Sequence, residues 1–125
     1  TMSVGKTTLV NSLKESVERV SFFVDPIEKQ LEGSKEVGAD RIEFYTGPYA
    51  DNPGPNSIEP FVRCYTLGRE LNLGINAGHD LDLDNLAFFL KNVPADEVSI
   101  GHALISNALV LGIQNTVKQY LELCK

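Results

Sequence analysis

The sequence has 125 residues, which suits one domain and no more. Hydrophobic residues make up 42% of it and charged residues 22%, the balance of a globular protein with a hydrophobic core. Its 11 basic and 17 acidic residues give a net charge of −6, which argues against nucleic acid or an anionic membrane surface as the partner. No apolar run approaches the ~20 residues of a membrane span, and no signal peptide is recognised, so we expect a cytoplasmic protein. The two cysteines, Cys64 and Cys124, suit neither a disulfide framework nor a metal motif.

Two helices and a strand are predicted at the start of the chain. Apolar residues spaced by four predict an amphipathic helix over residues 7–18, with its stripe at Leu9, Leu13 and Val17. Residues 20–25 are typical of a strand. Asp25 is expected to cap the next helix and Pro26 to open it, and this helix should end near Gly38.

Two more strands flank a loop and a third helix. Residues 42–46 predict a strand, and residues 48–57 are rich in Pro, Gly and Asn, which predicts a long loop rather than a helix. A third helix follows, marked by Phe61, Cys64, Tyr65, Gly68 and Leu71, and residues 74–78 form a short strand.

The remaining sequence predicts two helices around a fourth strand. Asp82 or Asp84 should cap the fourth helix, whose apolar positions are Leu83, Leu86, Leu90 and Val93. Residues 97–101 form the last strand. One long final helix should carry Ile105, Leu109, Ile113, Val117 and Tyr120 on one stripe.

This order of elements predicts a parallel sheet. Strands alternate with helices, and no hairpin signal joins two neighbouring strands. Repeated parallel βα units build either a doubly wound sheet or a (β/α)8 barrel, and a barrel needs eight units and about 250 residues. With four units and a preceding helix, residues 1–125 are interpreted as half of one barrel domain.

Alternation within the strands separates an apolar face from a largely polar one. Glu43 is the most informative residue of the polar face, because a carboxylate in mid-strand is costly to bury without a partner. It either faces water on an edge strand or acts as an acid inside a site.

Both histidines follow a strand and a glycine and precede a helix. His79 ends the sequence Ile75-Asn-Ala-Gly-His79, and His102 ends Val98-Ser-Ile-Gly-His102. The carboxyl ends of strands are where α/β proteins place their sites, and a glycine followed by a helix suits phosphate binding. Each histidine is therefore either a hydrogen-bonded turn residue or a group that binds phosphate or transfers protons.

A further motif, Gly5-Lys6-Thr7-Thr8 before the first helix, matches the end of a P-loop. The first glycine of such a loop and the strand before it are absent from the sequence, so a nucleotide site is the weaker interpretation.

Four motifs in order resemble the pyridoxine 5′-phosphate synthases of vitamin B6 biosynthesis. They are Val20-Ser-Phe-Phe-Val-Asp25, Ile42-Glu-Phe-Tyr-Thr-Gly47 with Tyr49-Ala50, Asn76-Ala-Gly-His79, and Ile100-Gly-His-Ala-Leu-Ile105. The resemblance covers the C-terminal half of that family's chain. It implies a (β/α)8 barrel, usually a homo-octamer, without metal or organic cofactor. The implied reaction joins two small phosphorylated substrates, 1-deoxy-D-xylulose 5-phosphate and 3-amino-2-oxopropyl phosphate, into pyridoxine 5′-phosphate, with release of phosphate and water.

The resemblance also implies roles for individual residues. His79 matches the family's proton donor and Glu43 the acid that stabilises the transition state. Substrate-binding positions match Thr1, Asp80, Gly101 and His102. Asp80 stands where the family usually has glycine, so a contact through its backbone N–H would persist while its carboxylate could repel a phosphate. Residues 2–8 depart from the family's Gly-rich segment. Two further bases of the family, a histidine and a glutamate, lie in the half that this sequence does not cover.

The sequence is also compatible with two other function classes. A non-catalytic half-barrel that binds phosphate would keep Gly101 and His102 and tolerate the loss of His79. A nucleotide-binding module would use Gly5, Lys6 and Thr7.

Overall fold

The computed structural model describes residues 19–125 and Asn11. The predicted helix over 7–18 therefore lies outside the described residues, apart from the helical Asn11. Four strands and six helices follow in the described part: β1 (Ser21–Val24), α1 (Glu28–Glu36), β2 (Arg41–Tyr45), α2 (Gly47–Asp51), α3 (Pro55–Glu70), β3 (Gly74–Gly78), α4 (Leu86–Asn92), β4 (Glu97–Ser99), α5 (His102–Leu111) and α6 (Ile113–Leu123).

The four strands form one parallel sheet in the order β1-β2-β3-β4. Phe23 pairs with Glu43, Glu43 with Asn76, and Gly78 with Ser99. The predicted parallel sheet is confirmed. Because each strand is followed by a helix and pairs with the next strand, the architecture is consistent with half of a (β/α)8 barrel.

The helices cover one face of the sheet, and the hydrophobic core lies between them. Strand residues of this face alternate along the chain as predicted: Val24, Ile42, Phe44, Ile75 and Ala77 are buried, and Phe22, Val98 and Ile100 pack against them. On the helix side Leu31, Phe61, Leu86, Phe89 and Tyr120 complete the core. We call the other face of the sheet the open face; it carries Phe23, Glu43, Tyr45, Asn76, Gly78 and Ser99.

Tyr49 joins α2 to the core. Its ring is fully buried, lies 5.2 Å from the ring of Phe89, and its hydroxyl donates to the carbonyl of Asn85 at 2.6 Å. Burial, together with the negative charge of Asp82, raises the pKa of this hydroxyl. A buried phenol needs such an acceptor, so this bond fixes α2 against the start of α4.

The predicted loop over 48–57 is wrong. The segment contains α2 and the beginning of α3, separated by a short turn. Pro48 and Pro55 lie in the first turns of these helices, where a missing N–H removes no hydrogen bond and the fixed φ of proline suits the helix. Ser57 closes the turn, because its hydroxyl donates to the carbonyl of Asn52 at 2.7 Å.

Two predicted caps also differ from the structure. Asp25 and Pro26 form a turn ahead of α1, whose N-cap is Ile27 without a side-chain cap bond. Neither Asp82 nor Asp84 is the N-cap of α4, which is Asn85. The Asp82 carboxylate instead accepts the N–H groups of Asp84 and Asn85, so it stabilises the turn before the helix.

The last strand is shorter in the structure than predicted, and the predicted long final helix is divided into two helices. β4 ends at Ser99, and Gly101 is the N-cap of α5. The helix breaks at Gly112, which has a φ of +82° that glycine adopts at little cost, and α6 continues from Ile113. The Tyr120 hydroxyl donates to Asn107 at 2.8 Å and so holds α6 against α5.

Both cysteines are free, Cys64 buried and Cys124 exposed. Within residues 19–125, no helix combines the length and the apolar character that crossing a bilayer requires.

Candidate functional site

A cleft of about 300 Å³ lies where the strands end on the open face. It brings together five of the six site residues predicted from the sequence: Glu43, His79, Asp80, Gly101 and His102. They come from β2 and from the turns after β3 and β4, which are parallel neighbours and so end at one edge of the sheet. Thr1, the sixth, lies outside the described residues, as do Gly5, Lys6, Thr7 and Thr8.

Glu43 occupies the middle of β2 and is half-buried. The interpretation of Glu43 as an edge-strand residue is wrong, because β2 pairs with β1 on one side and β3 on the other. Its carboxylate accepts a hydrogen bond of 3.0 Å from the hydroxyl of Ser99 on β4. The structure therefore places a carboxylate inside the cleft, beside the turns that carry both histidines.

The main chain of His79 is tied to the end of β2. The Thr46 hydroxyl donates to the His79 carbonyl at 2.6 Å, and the Thr46 N–H donates to the carbonyl of Gly78 at 3.1 Å. Thr46 is fully buried, so both bonds are shielded from water. The His79 ring packs edge-on against Tyr45, with 4.7 Å between ring centroids.

His79 and Asp80 adopt backbone conformations that side-chain-bearing residues rarely occupy. Their φ angles are +112° and +58°. Each such residue typically costs about 1 kcal/mol or more, and such strain gathers at functional turns. The turn points the Asp80 carboxylate at its neighbour: Oδ2 lies 2.9 Å from Nδ1 of His79. The carboxylate is thus engaged with the imidazole.

Gly101 and His102 begin α5 at the other side of the cleft. The first N–H groups of a helix have no partner within it and carry the positive end of its dipole, which suits an anion such as phosphate. A Cβ on Gly101 would meet no atom within 4 Å, so packing within the described residues does not require glycine here. Nε2 of His102 lies 3.5 Å from the hydroxyl of Ser106 one turn along.

Tyr45, Thr46 and Ser99 contact the predicted site residues but were not themselves predicted as site residues. Tyr45 and Thr46 are part of the motif that contains Glu43, and Ser99 lies in the strand predicted over residues 97–101. The signal was present, but strand registers decide which side chains meet, and the sequence alone does not give them.

Other features lie away from the cleft. A larger groove of about 500 Å³ runs along α6, lined by Ile113, Val117, Leu121 and polar neighbours, and it holds no histidine or cysteine. Among residues 19–125, no three His, Cys, Asp or Glu side chains are grouped so that they could hold a metal ion.

The fold and the cleft together define an α/β protein with its chemical groups at the carboxyl ends of parallel strands, as barrel enzymes have them. Residues 5–125 match the model of the family described as "Pyridoxal phosphate biosynthesis protein PdxJ". The chain belongs to this family.

Curated relatives agree with the family assignment. The chain is 50% identical over 121 residues to a pyridoxine 5′-phosphate synthase of Christiangramia forsetii. This match covers 94% of the chain and 51% of the relative. It is 49% identical over 138 residues to one of Flavobacterium johnsoniae, covering the whole chain and 58% of the relative, and 48% identical over 119 residues to one of Cytophaga hutchinsonii, covering 92% and 50%. The chain thus spans about half the length of the curated relatives it matches.

Proposed function

We propose that this chain is the C-terminal half of a pyridoxine 5′-phosphate synthase and forms half of a closed (β/α)8 barrel. Four βα units are half of the eight that a barrel needs, and the chain covers about half of each relative. The sheet has β1 and β4 at its edges, and its open face carries the cleft. A second set of four units would pair with both edges and enclose that face.

The reaction is the condensation and ring closure of 1-deoxy-D-xylulose 5-phosphate with 3-amino-2-oxopropyl phosphate, which yields pyridoxine 5′-phosphate, phosphate and water. The observation that carries this assignment is that four residues matching the family's motifs line one cleft, together with Asp80, which stands where the family usually has glycine. The two alternatives, a non-catalytic phosphate-binding half-barrel and a nucleotide-binding module, have no comparable support.

His79 serves as the proton donor. An imidazole can give a proton to a departing oxygen at neutral pH, and the strained turn after β3 aims the ring into the cleft. Because Nδ1 faces the Asp80 carboxylate, Nε2 is the nitrogen left for the substrate. The ring donates from Nε2 as an imidazolium and is left neutral, with its remaining hydrogen on Nδ1 toward Asp80. The several proton transfers of the reaction need more than one such group, and the other half of the barrel supplies a histidine and a glutamate as bases.

Glu43 stabilises the positive charge that develops in the transition state. A fixed carboxylate in a half-buried cleft acts more strongly on such charge than one in water. Gly101 and His102 bind a substrate phosphate with the first turn of α5, and Asp80 contributes its backbone N–H. Thr1 completes the substrate-binding set.

The assembled enzyme is a cytoplasmic homo-octamer that needs no metal or organic cofactor. A net charge of −6 makes nucleic acid and anionic membranes poor partners. Large apolar side chains on α5 and α6 are exposed, which favours burial against further protein.

The test joins this chain to the N-terminal half of the Christiangramia forsetii relative; we call the product the completed protein. Incubated with both substrates, it should form pyridoxine 5′-phosphate, detected by mass spectrometry. Binding of inorganic phosphate without any product would instead favour the non-catalytic half-barrel. A rise in melting temperature with ATP alone would favour the nucleotide-binding module.

A further inference from the structure

We propose that Ser99 is a positioning residue that holds the Glu43 carboxylate in place across the intervening strand, and that Gly78 makes this reach possible. The inference rests on the proposed function and deepens it. Glu43 stabilises positive charge in the transition state, and Ser99 fixes the position of the Glu43 carboxylate.

The strand register brings the two residues to the same face. Glu43 on β2 pairs with Asn76 on β3, and Gly78, two residues further along β3, pairs with Ser99 on β4. Alternation places all four on the open face. Since β2 and β4 are separated by β3, their backbones lie about 9–10 Å apart, and the Glu43 side chain must cross the middle strand to meet Ser99.

Gly78 leaves the passage through which the carboxylate reaches Ser99. A Cβ at this position would lie 2.9 Å from Cβ of Ser99 and 3.5 Å from Oε2 of Glu43. The first distance is shorter than real side chains tolerate, so a larger residue would push Ser99 away. With glycine, the Ser99 hydroxyl donates to Oε1 of Glu43 at 3.0 Å.

The direct neighbour of Glu43 does not hold it. The Asn76 amide makes its hydrogen bonds toward the amino ends of the strands. Its Oδ1 accepts from Nη1 of Arg41 at 2.7 Å, and its Nδ2 donates to Glu97. In the part of the chain that the structure describes, Ser99 is the one side chain that donates to the Glu43 carboxylate.

A carboxylate that stabilises a transition state must be fixed before the reaction. Glutamate has three rotatable side-chain bonds, so without Ser99 it would occupy several rotamers, few of them aimed at the reacting centre. Loss of a hydrogen bond to a charged group then predicts a fall in kcat of about ten-fold, with KM little changed.

The experiment is a double-mutant cycle in the completed protein with Ser99→Ala and Glu43→Gln. Ser99→Ala should lower kcat about ten-fold in the presence of Glu43 and should have no further effect in the Glu43→Gln protein, because the negative charge that Ser99 positions is then absent. Ser99→Thr keeps the hydroxyl and should restore most of the rate. Ser21→Ala makes the same substitution on β1, outside the cleft, and is the control for removing a strand serine.

Additive losses in the cycle, or a Ser99→Ala protein with normal kcat, would overturn the positioning role. Crystal structures of the Ser99→Ala and Ser99→Thr completed proteins give a readout that does not depend on turnover. The Glu43 carboxylate should leave its position in the first and keep it in the second; an unmoved Glu43 in Ser99→Ala refutes the inference. A parent protein that makes no pyridoxine 5′-phosphate would refute the proposed function instead, and the crystal structures would still decide the role of Ser99.

Discussion

His79 is held at three points, each from a different residue. Thr46 fixes its carbonyl, Tyr45 packs against its ring, and the Asp80 carboxylate faces its Nδ1. Two of these residues belong to the end of β2 and the turn after it, and one follows His79 directly. A ring restrained in this way presents one nitrogen to the cleft, which is what a proton donor requires.

Replacement of His79 by Asn should lower kcat of the completed protein by about 10²- to 10⁴-fold, the usual range for lost acid–base catalysis. The amide keeps a polar group of similar size but cannot deliver a proton, and phosphate binding at the start of α5 should persist. Steady-state kinetics and phosphate binding by calorimetry, measured on one preparation, check this. Near-normal kcat would reduce His79 to a structural residue of the turn.

Asp80 should fix which nitrogen of the neutral His79 ring carries the proton. Its carboxylate can only accept, so it selects the tautomer with hydrogen on Nδ1. In Asp80→Gly, which also suits the φ of +58°, both tautomers should be populated.

Nitrogen-15 shifts of the His79 ring in the completed protein report the tautomer directly. Asp51→Ala, at an exposed carboxylate on α2, is the control and should leave the spectrum unchanged. An unchanged tautomer in Asp80→Gly would show that another group orients the ring.

Among the elements, α3 and β3 are joined to the segment before β4 by an ionic cluster at the amino ends of the strands. Asp96 accepts from Nη1 and Nη2 of Arg69 at 3.0 and 2.7 Å, and from the N–H of Ile75 at 2.8 Å. The hydrogen bonds from Arg69 are the main reason why the pKa of Asp96 is lowered. Beside it, Arg19 lowers the pKa of Glu97. The amino ends of the strands are thus stabilised by ionic and hydrogen-bonding contacts, and the cleft lies at the opposite, carboxyl ends.

Asp96→Asn should destabilise the completed protein by about 1 kcal/mol at pH 7, because the pair is partly exposed and screened by water. A carboxyl whose pKa is lower in the folded state stabilises that state above its unfolded pKa and loses this effect as the pH falls. The difference between parent and variant should therefore shrink below about pH 4.

Urea unfolding at a series of pH values measures that difference. Glu122→Gln removes an exposed carboxylate that pairs with Lys125 and should be nearly neutral at every pH. A gap between Asp96→Asn and the parent that does not vary with pH would mean that the charge of Asp96 contributes nothing.

The strands were predictable because their apolar residues alternate and the polar residues fall on the other face. Alternation also assigned Glu43 to the polar face in mid-strand, and the Gly-His sequences placed both histidines after strand ends. The helices were less predictable where proline and glycine decide the outcome. Pro48 and Pro55 were interpreted as loop formers, yet each lies in a helical first turn.

Tertiary contacts account for the remaining differences. The apolar stripe continues through Gly112, so periodicity alone gives one helix, and only the packing of α6 on α5 through Tyr120 and Asn107 shows why the chain turns there. The Ser99–Glu43 bond likewise depends on the pairing of three strands. Local sequence carries no record of such pairings.

The two faces of the sheet differ in how they are covered within residues 19–125. The helices pack on one face and form the hydrophobic core with it. The open face carries the exposed Phe23, and β1 and β4 each have one edge that pairs with no strand in the described residues. α5 has no buried residue at all, and Leu109 and Val110 are 85% and 83% exposed. Exposed apolar helix surfaces and unpaired strand edges both favour association with other protein, although a net charge of −6 favours solubility.

The 125-residue chain on its own should therefore be inactive and should associate. Within residues 19–125 nothing pairs with the outer edges of β1 and β4 or covers the exposed faces of α5 and α6, and under the proposed function the bases for the remaining proton transfers lie in the other half. Size-exclusion chromatography should show species well above 13.7 kDa. When the N-terminal half of the Christiangramia forsetii relative is added as a separate chain, the two should elute together and form pyridoxine 5′-phosphate. The same mixture with His79→Asn should co-elute without activity, which separates assembly from catalysis. A stable, active monomer of the single chain would contradict both the half-barrel architecture and the division of the catalytic groups between two halves.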